Sequence, residues 1–314
     1  MPNIIYRAQK TEEAIAAAME ADQGNAYRAA LQKHIPNQLD AYRHTPIDDP
    51  FRSHLGASMI GRKCERELWY GFHWSTIKRF DGRILRLFNT GHLAEAKFLA
   101  MLESIGCVIY QVNEDGTQYR MDGHGGHYGG SLDGVVTNLP DWPNGPVLAE
   151  FKTHGDKSFA KLQKEGVRSA KPEHVAQMQQ YMAAYQLPIG IYMAINKNDE
   201  MLYTELIHFE EEQAGQDYAK AGRIIASDAP PKRISNSPGW LACKFCDHHA
   251  ICHLDAPVAV NCRTCAFVTC LPDGGWRCEN DVNQQDEGFE QILSKDAQLA
   301  GCQNHEPFTA YIED

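Results

Sequence analysis

The stretch from Tyr128 to Thr153, YGGSLDGVVTNLPDWPNGPVLAEFKT, constrains the fold more than any other part of the chain. Two short apolar runs flank a turn dense in Pro, Asn and Gly, the pattern of two strands joined by a tight connection. The first run, Ser131 to Thr137, carries Asp133, and the second, Pro146 to Thr153, carries Glu150 and Lys152. Side chains alternate faces along a strand, so Glu150 and Lys152 point one way and Phe151 points the other, towards a core. If the runs pair as a hairpin, Asp133 lies beside Glu150. Two carboxylates can then share a divalent cation with an ammonium one step along, and hard oxygen ligands of this kind suit Mg²⁺ or Mn²⁺.

A Gly-Gly-Ser-x-Asp-Gly turn, an apolar strand ending in E-F-K-T, and the segment HVAQMQQYM (174–182) follow one another in that order. Together they resemble the PD-(D/E)XK nuclease superfamily, in particular its RecB-like exonuclease branch, which includes CRISPR-associated members. The resemblance spans residues 57 to 253. It implies an α/β (α+β) core of restriction-endonuclease type, a mixed sheet flanked by helices. It further implies that Asp133, Glu150 and the Phe151 carbonyl hold the metal, that Lys152 is catalytic, and that Gln177 and Tyr181, four apart on one helix, line the active site. The family's Gly-led helix supplies a Glu or His to the metal. Here that is Glu95, with His92 in reserve, three residues away on the same helical face.

Earlier in the chain, residues 11 to 34 read as helix, rich in alanine. Asn37 to Arg52, with Pro, Asp and His44, reads as a connector. The run LGASMIGRKCERELWYGFHW reads as a helix that contains Cys64. A second helix is expected to open near Thr90-Gly91, with Leu93, Ala96, Leu99 and Leu102 at helical spacing. Cys107, in an apolar run, reads as an inert strand cysteine. IGIYMAINKNDEMLYTELIHF reads as two strands around an Asn/Asp turn.

The chain has 314 residues, enough for one sizeable core and a small appendage. It contains no run of about 18 apolar residues and no apolar signal core, so a soluble, cytoplasmic protein without membrane contact is expected. Ten cysteines in such a chain point to metal sites rather than disulfides. Cys243, Cys246 and Cys252 are spaced C-x2-C-x5-C and need a distant fourth thiolate. Cys64 is the candidate, and the family resemblance implies a 4Fe–4S cluster. The spacing alone also allows Zn²⁺, with His248 and His249 at hand. In the tail, Cys262-x2-Cys265, Cys278 after Gly274-Gly275, and Cys302-x2-His305 form a zinc-ribbon pattern. Its expected ligands are Cys262, Cys265, Cys278 and Cys302, with His305 as substitute and Cys270 surplus. The tail also resembles modules at the ends of some phage-encoded proteins.

A net charge of −11 excludes a generally basic nucleic-acid coat. Any DNA contact must come from a local patch, and Lys157, Lys161, Lys164, Arg168 and Lys171 supply one just after the E-F-K-T strand. The organisation expected is a helical segment over 1–54, a nuclease core with its four-cysteine clip over 55–255, and a zinc module over 256–314. The expected function is Mg²⁺- or Mn²⁺-dependent DNA hydrolysis, as an exonuclease in phage or prophage recombination, replication or repair, alongside proteins of those processes. Two alternatives stay open: an inactive DNA-binding or assembly protein of the same fold, and a defence or CRISPR-adaptation nuclease.

Overall fold

The computed structural model describes residues 4–43, 51–77, 79–285 and 288–308; His44 and the rest of the 44–50 connector lie outside them. In chain order the elements are α1 (Gln9–Ala21), α2 (Asn25–Arg43), β1 (Leu55–Gly56), α3 (Glu65–Phe72), α4 (Gly82–Ser104), β2 (Val108–Tyr110), β3 (Arg120–Gly123) and β4 (Tyr128–Ser131). There follow β5 (Gly134–Thr137), β6 (Val147–His154), α5 (Asp156–Ala170), α6 (Pro172–Tyr185), β7 (Ile189–Asn196), β8 (Leu202–His208) and α7 (Glu211–Ile225). The last elements are α8 (Leu241–Lys244), α9 (His249–His253), β9 (Val268–Cys270), β10 (Trp276–Cys278) and α10 (Lys295–Ala300). No helix among the described residues is long and apolar enough to cross a membrane.

Two compact units form. The first comprises Met1–Asp48, Phe80–Met121 and Gly130–Gly215; the second comprises Asp49–Arg79, Asp122–Gly129 and Gln216–Asp314. The first unit is the expected mixed α/β core, a five-stranded sheet in the order β2-β5-β6-β7-β8. β5 runs antiparallel to β6, β6 parallel to β7, and β7 antiparallel to β8. A parallel neighbour requires a crossover between β6 and β7, and α5 with α6 supplies it. The core is apolar side chains from both central strands: Val147, Ala149, Phe151, Ile189, Ile191, Met193 and Ile195, packed with Phe98, Leu99 and Leu102 of α4. Phe98 and Phe151 stack at 4.9 Å, which fixes α4 against the face of β6 opposite Glu150 and Lys152.

Local chemistry sets the helix ends differently from expectation at three places. α4 opens at Gly82, not near Thr90, because the Asp81 side chain caps it by accepting from the Ile84 N–H at 2.8 Å. Gly91 is an interior helix residue. α2 continues through Pro36 to Arg43, although proline removes one helical donor. Lys33 and His34, one turn earlier, bind Glu103 of α4 at 2.8 and 2.6 Å and tie the helix down. The run from Leu55 to Trp74 is a short strand, a 3₁₀ turn and then α3. Cys64 stands in extended conformation at the N-cap of α3 instead of within a helix.

In the second unit, β9 and β10 pair antiparallel across the Gly274-Gly275 turn, with Cys270 opposite Trp276. Arg263 organises the surroundings. Its guanidinium is 2% exposed, donates to Gln298 Oε1, Phe72 O and Ser53 O, and lies 3.8 Å from the Trp74 ring centroid and 4.5 Å from that of Trp276. Burial pushes its pKa down to about 9. The tail is therefore built into one body with residues 51–77, through a cation held by neutral oxygens and aromatic faces.

Candidate active site and thiol clusters

The first unit gathers the acidic and basic residues singled out in the sequence. Asp133 stands just before β5, where Gly134 pairs with Ala149, so its side chain reaches the next residues of β6. Its Oδ2 accepts the Phe151 N–H at 2.7 Å. Glu150 is fully buried, yet a strand interior offers a carboxylate few donors. Lys152 donates to Glu150 Oε1 and, at 3.2 Å, to the Phe151 carbonyl. Glu150 Oε2 is buried without any hydrogen-bond partner. An unsatisfied buried carboxylate oxygen is costly and calls for a cation or water.

Electrostatics place Glu95 at the same spot. Burial, with Asp133 and Glu150 adding to it and Lys152 opposing, raises its pKa to about 8. Burial also lifts Glu150 to about 7, with Lys152 pulling down and Asp133 pushing up. The Lys152 ammonium is disfavoured by burial but favoured more strongly by Glu150, Asp133 and Glu95, so its pKa rises above the ordinary value. Three carboxylates facing one ammonium leave the cluster short of positive charge. His92 lies on the same helical face, its Nδ1 3.8 Å from Glu95 Oε1, and burial lowers its pKa against the pull of Asp133.

Gln177 and Tyr181 are both buried on α6, and Gln177 Nε2 donates to Tyr181 Oη at 3.4 Å. Tyr181 presses on Gly130, where an added Cβ would come within 2.4 Å of its hydroxyl. This close approach explains the need for glycine ahead of Asp133. Of the basic residues, Lys157, Lys161 and Lys164 are exposed along α5. Gly166, at φ 72°, breaks the helix, so Arg168 and Lys171 leave that stripe. Arg168 pairs with Glu210 at 2.7 Å, and Lys161 with Glu165 at 3.7 Å.

Sequence reading missed two histidines of this unit. His154 continues the Glu150, Lys152 alternation on β6, and His174 stands one helical turn before Gln177; both bond the buried Tyr192 hydroxyl. The period of two along β6 was enough to find the first of them.

Cys107 lies in the first unit, and the second unit holds the other cysteines. Cys64, Cys243, Cys246 and Cys252 line one small cavity with Arg66, Glu67, His248, His249 and His253. Burial raises the Cys64 and Cys243 thiols, and Cys246 to about 12. Cys262, Cys265, Cys278 and Cys302 line a second cavity. Burial, with the other three thiols adding to it, pushes Cys262 up to about 12. Asn283 Nδ2 reaches both Cys278 Sγ (3.7 Å) and Cys302 Sγ (3.5 Å), and Asn304 orients it from behind at 2.7 Å. His305 lines the same cavity, but its Nε2 lies 3.0 Å from Thr264 Oγ1. Cys270 is apart from both sets, 3.2 Å from His127 Nε2. Among the described residues no group of three or more His, Cys, Asp or Glu side chains is gathered tightly enough to hold an ion as it stands.

No family model matches the chain, and no curated protein matches it. Among solved structures it is similar to an alkaline exonuclease, LHK-Exo, from Laribacter hongkongensis, at 15% identity and a TM-score of 0.39, over 55% of this chain and 87% of that one. It is also similar to LHK-Exo in complex with dAMP, at 17% identity and a TM-score of 0.38 over the same shares. A third similar structure is SSO0001, at 16% identity and a TM-score of 0.38, over 73% of this chain and 97% of that one.

Proposed function

We propose that the chain is a metal-dependent DNA nuclease of the PD-(D/E)XK type, with the reacting groups on β6 and the residue ahead of β5. One observation carries this reading: Glu150 is fully buried and keeps one oxygen unsatisfied, next to Asp133 and Glu95, with Lys152 as their only cation among the described residues that act on it. The donor set fits Mg²⁺ or Mn²⁺, being hard oxygens from Asp133, Glu150, Glu95 and the Phe151 carbonyl, with His92 beside them. A divalent cation held there supplies charge that polarises a phosphate and acidifies water. Lys152 then turns from Glu150 to the phosphate, where its ammonium orients the attacking water or stabilises charge growing on the phosphoryl oxygens. Tyr181 and Gln177 position the strand beside Asp133. No side chain needs to form a covalent intermediate.

In this reading DNA enters along α5 with Lys157, Lys161 and Lys164 facing phosphates, and Arg168 and Lys171, off that stripe beyond the Gly166 break, contact phosphates further along. The ion pairs of Lys161 and Arg168 are exposed and worth about 0–1 kcal/mol each, so a polyanion displaces them readily. Cys64, Cys243, Cys246 and Cys252 would hold a 4Fe–4S cluster, and Cys262, Cys265, Cys278 and Cys302 a zinc ion. Action at DNA ends in recombination, replication or repair, in a phage or prophage setting, completes the proposal.

The test is cleavage of end-labelled single- and double-stranded DNA with Mg²⁺ or Mn²⁺. Mononucleotide release that stops on addition of EDTA is expected. Intact DNA under every metal and strand condition would overturn the reading.

A further inference from the structure

β6 presents three polar side chains on one face, not two. Glu150, Lys152 and His154 alternate with Phe151 and Thr153, so all three point away from the Phe98 side. On the parallel neighbour, Tyr192 stands opposite Glu150, Ala194 opposite Lys152 and Asn196 opposite His154. Yet His154 Nε2 lies 2.8 Å from Tyr192 Oη. Four strand residues span about 13 Å. Tyr192 and His154 therefore meet only by leaning towards each other past the level of Lys152, and the small Ala194 leaves room for that.

His174 closes the arrangement from α6. Its Nδ1 lies 2.9 Å from the same Tyr192 oxygen, and the two imidazoles are near-parallel, 6.0 Å apart at 15°. Ser158 Oγ lies 3.3 Å from the other His154 nitrogen. A phenol has one proton, so Tyr192 donates to one ring and accepts from the other, which locks both tautomers. Burial, reinforced by the lysine charges around them, lowers His154 to about 4 and His174 to about 2, so both rings are neutral at physiological pH. A neutral wall matters here. A carboxylate in its place would capture the Lys152 ammonium, whereas imidazole and phenol confine it without binding its charge.

We infer that His154, Tyr192 and His174 form a hydrogen-bonded wall that keeps the Lys152 ammonium on the side of Asp133, Glu150 and Glu95, as positioning residues for phosphodiester cleavage. The inference rests on the nuclease reading above. Lys152 has a flexible four-carbon stem, and the wall removes the orientations that lead it away from the scissile phosphate. None of the three side chains has to touch DNA.

The experiment is steady-state cleavage of end-labelled DNA with Mg²⁺ by Tyr192→Phe, His174→Ala, His174→Asn and Glu150→Gln. Affinity for labelled DNA in Ca²⁺ and thermal unfolding are measured on the same proteins. Tyr192→Phe keeps the ring and breaks both bonds. His174→Asn places a polar atom where Nδ1 stands, and His174→Ala does not. Misplacing Lys152 should lower kcat on the order of 10²-fold in Tyr192→Phe and His174→Ala, with KM and DNA affinity within about 2-fold of the starting protein. His174→Asn should recover most of the rate. Wild-type kcat in Tyr192→Phe and His174→Ala, with Glu150→Gln dead, would overturn the wall while leaving the nuclease reading intact. Equal loss in His174→Asn and His174→Ala, tracking loss of folded protein, would overturn it too. Cleavage by Glu150→Gln at the starting rate would remove the active site from β6, and the wall with it, whereas no cleavage by the starting protein would remove the nuclease reading itself.

Discussion

Glu150→Gln, Asp133→Ala and Lys152→Ala each lower DNA cleavage on the order of 10³-fold or more, while the protein keeps its fold. The effect is large because in the proposed mechanism the three groups act on one reacting phosphate with no redundancy. Asp133 has one oxygen committed to the Phe151 N–H, which fixes the carboxylate at the edge of β6 and leaves its other oxygen for a cation. Glu150 holds an unsatisfied oxygen in a fully buried position. Lys152 is the nearest ammonium, with a side chain that is 25% exposed and so open to a substrate. Glutamine at 150 keeps the shape and removes the charge. The sheet should persist, since neither residue 150 nor 152 belongs to the Phe98–Phe151 core. Circular dichroism and unfolding of each variant, run beside the cleavage assay, separate lost chemistry from lost structure. Starting rates in all three variants would sink the assignment.

Protein purified without oxygen should be brown, absorb broadly near about 400 nm, and carry about four irons and one zinc per chain. Cys64→Ser should remove the colour and lower the unfolding midpoint steeply. Cys64 is some 180 residues distant in sequence from Cys243, yet both line one cavity, so a cluster there ties α3 to the α8–α9 segment. A structural metal contributes on the order of 10 kcal/mol to a small site, and the raised thiol pKa values show how poorly these cysteines ionise without one. Cys278→Ser should instead remove zinc and leave the colour. Truncating the tail is a worse test, because Arg263 and Asn261 bond Phe72, Ser53 and Trp74. Colourless anaerobic protein with two zincs would contradict the iron–sulfur assignment and leave the nuclease assignment standing.

The central hairpin was readable because its information is local. Alternation along β6 places Glu150 and Lys152 together and Phe151 in the core, and the Pro/Gly/Asn turn brings Asp133 alongside. Two strands around Asn196–Met201 were equally plain. The start of α4 was not, because an interior Gly91 imitates a helix start and the actual cap is one aspartate ten residues earlier. Cys64 sits at a helix cap for a similar reason, since Gly61 ends the preceding turn before α3 begins. Arg263 carries no sequence signal at all. Its burial depends on Trp74 and Trp276, which come from segments about 190 and 13 residues away and meet only in the folded unit. His154 was legible from the same alternation that revealed Lys152, whereas the His174–Tyr192 contact needed the parallel register of β6 and β7.

Titration of Mn²⁺ into DNA-free protein at pH 8 and pH 6, followed by calorimetry, tests the three-carboxylate site most directly. Glu95 and Glu150 have folded pKa values raised to about 8 and about 7. The stability they contribute is fully present below their unfolded values, near pH 4.5, and is lost as pH rises through 7 to 8 and the native carboxylates ionise. A bound cation would offset that loss by neutralising the ionised carboxylates, and at pH 6 it would first have to displace their protons. Binding should therefore release protons and weaken at least about 10-fold from pH 8 to pH 6, and the gain in unfolding midpoint should be larger at pH 8. Glu150→Gln should not bind. Absence of Mn²⁺ binding at pH 8, or binding that Glu150→Gln leaves unchanged, would contradict the account.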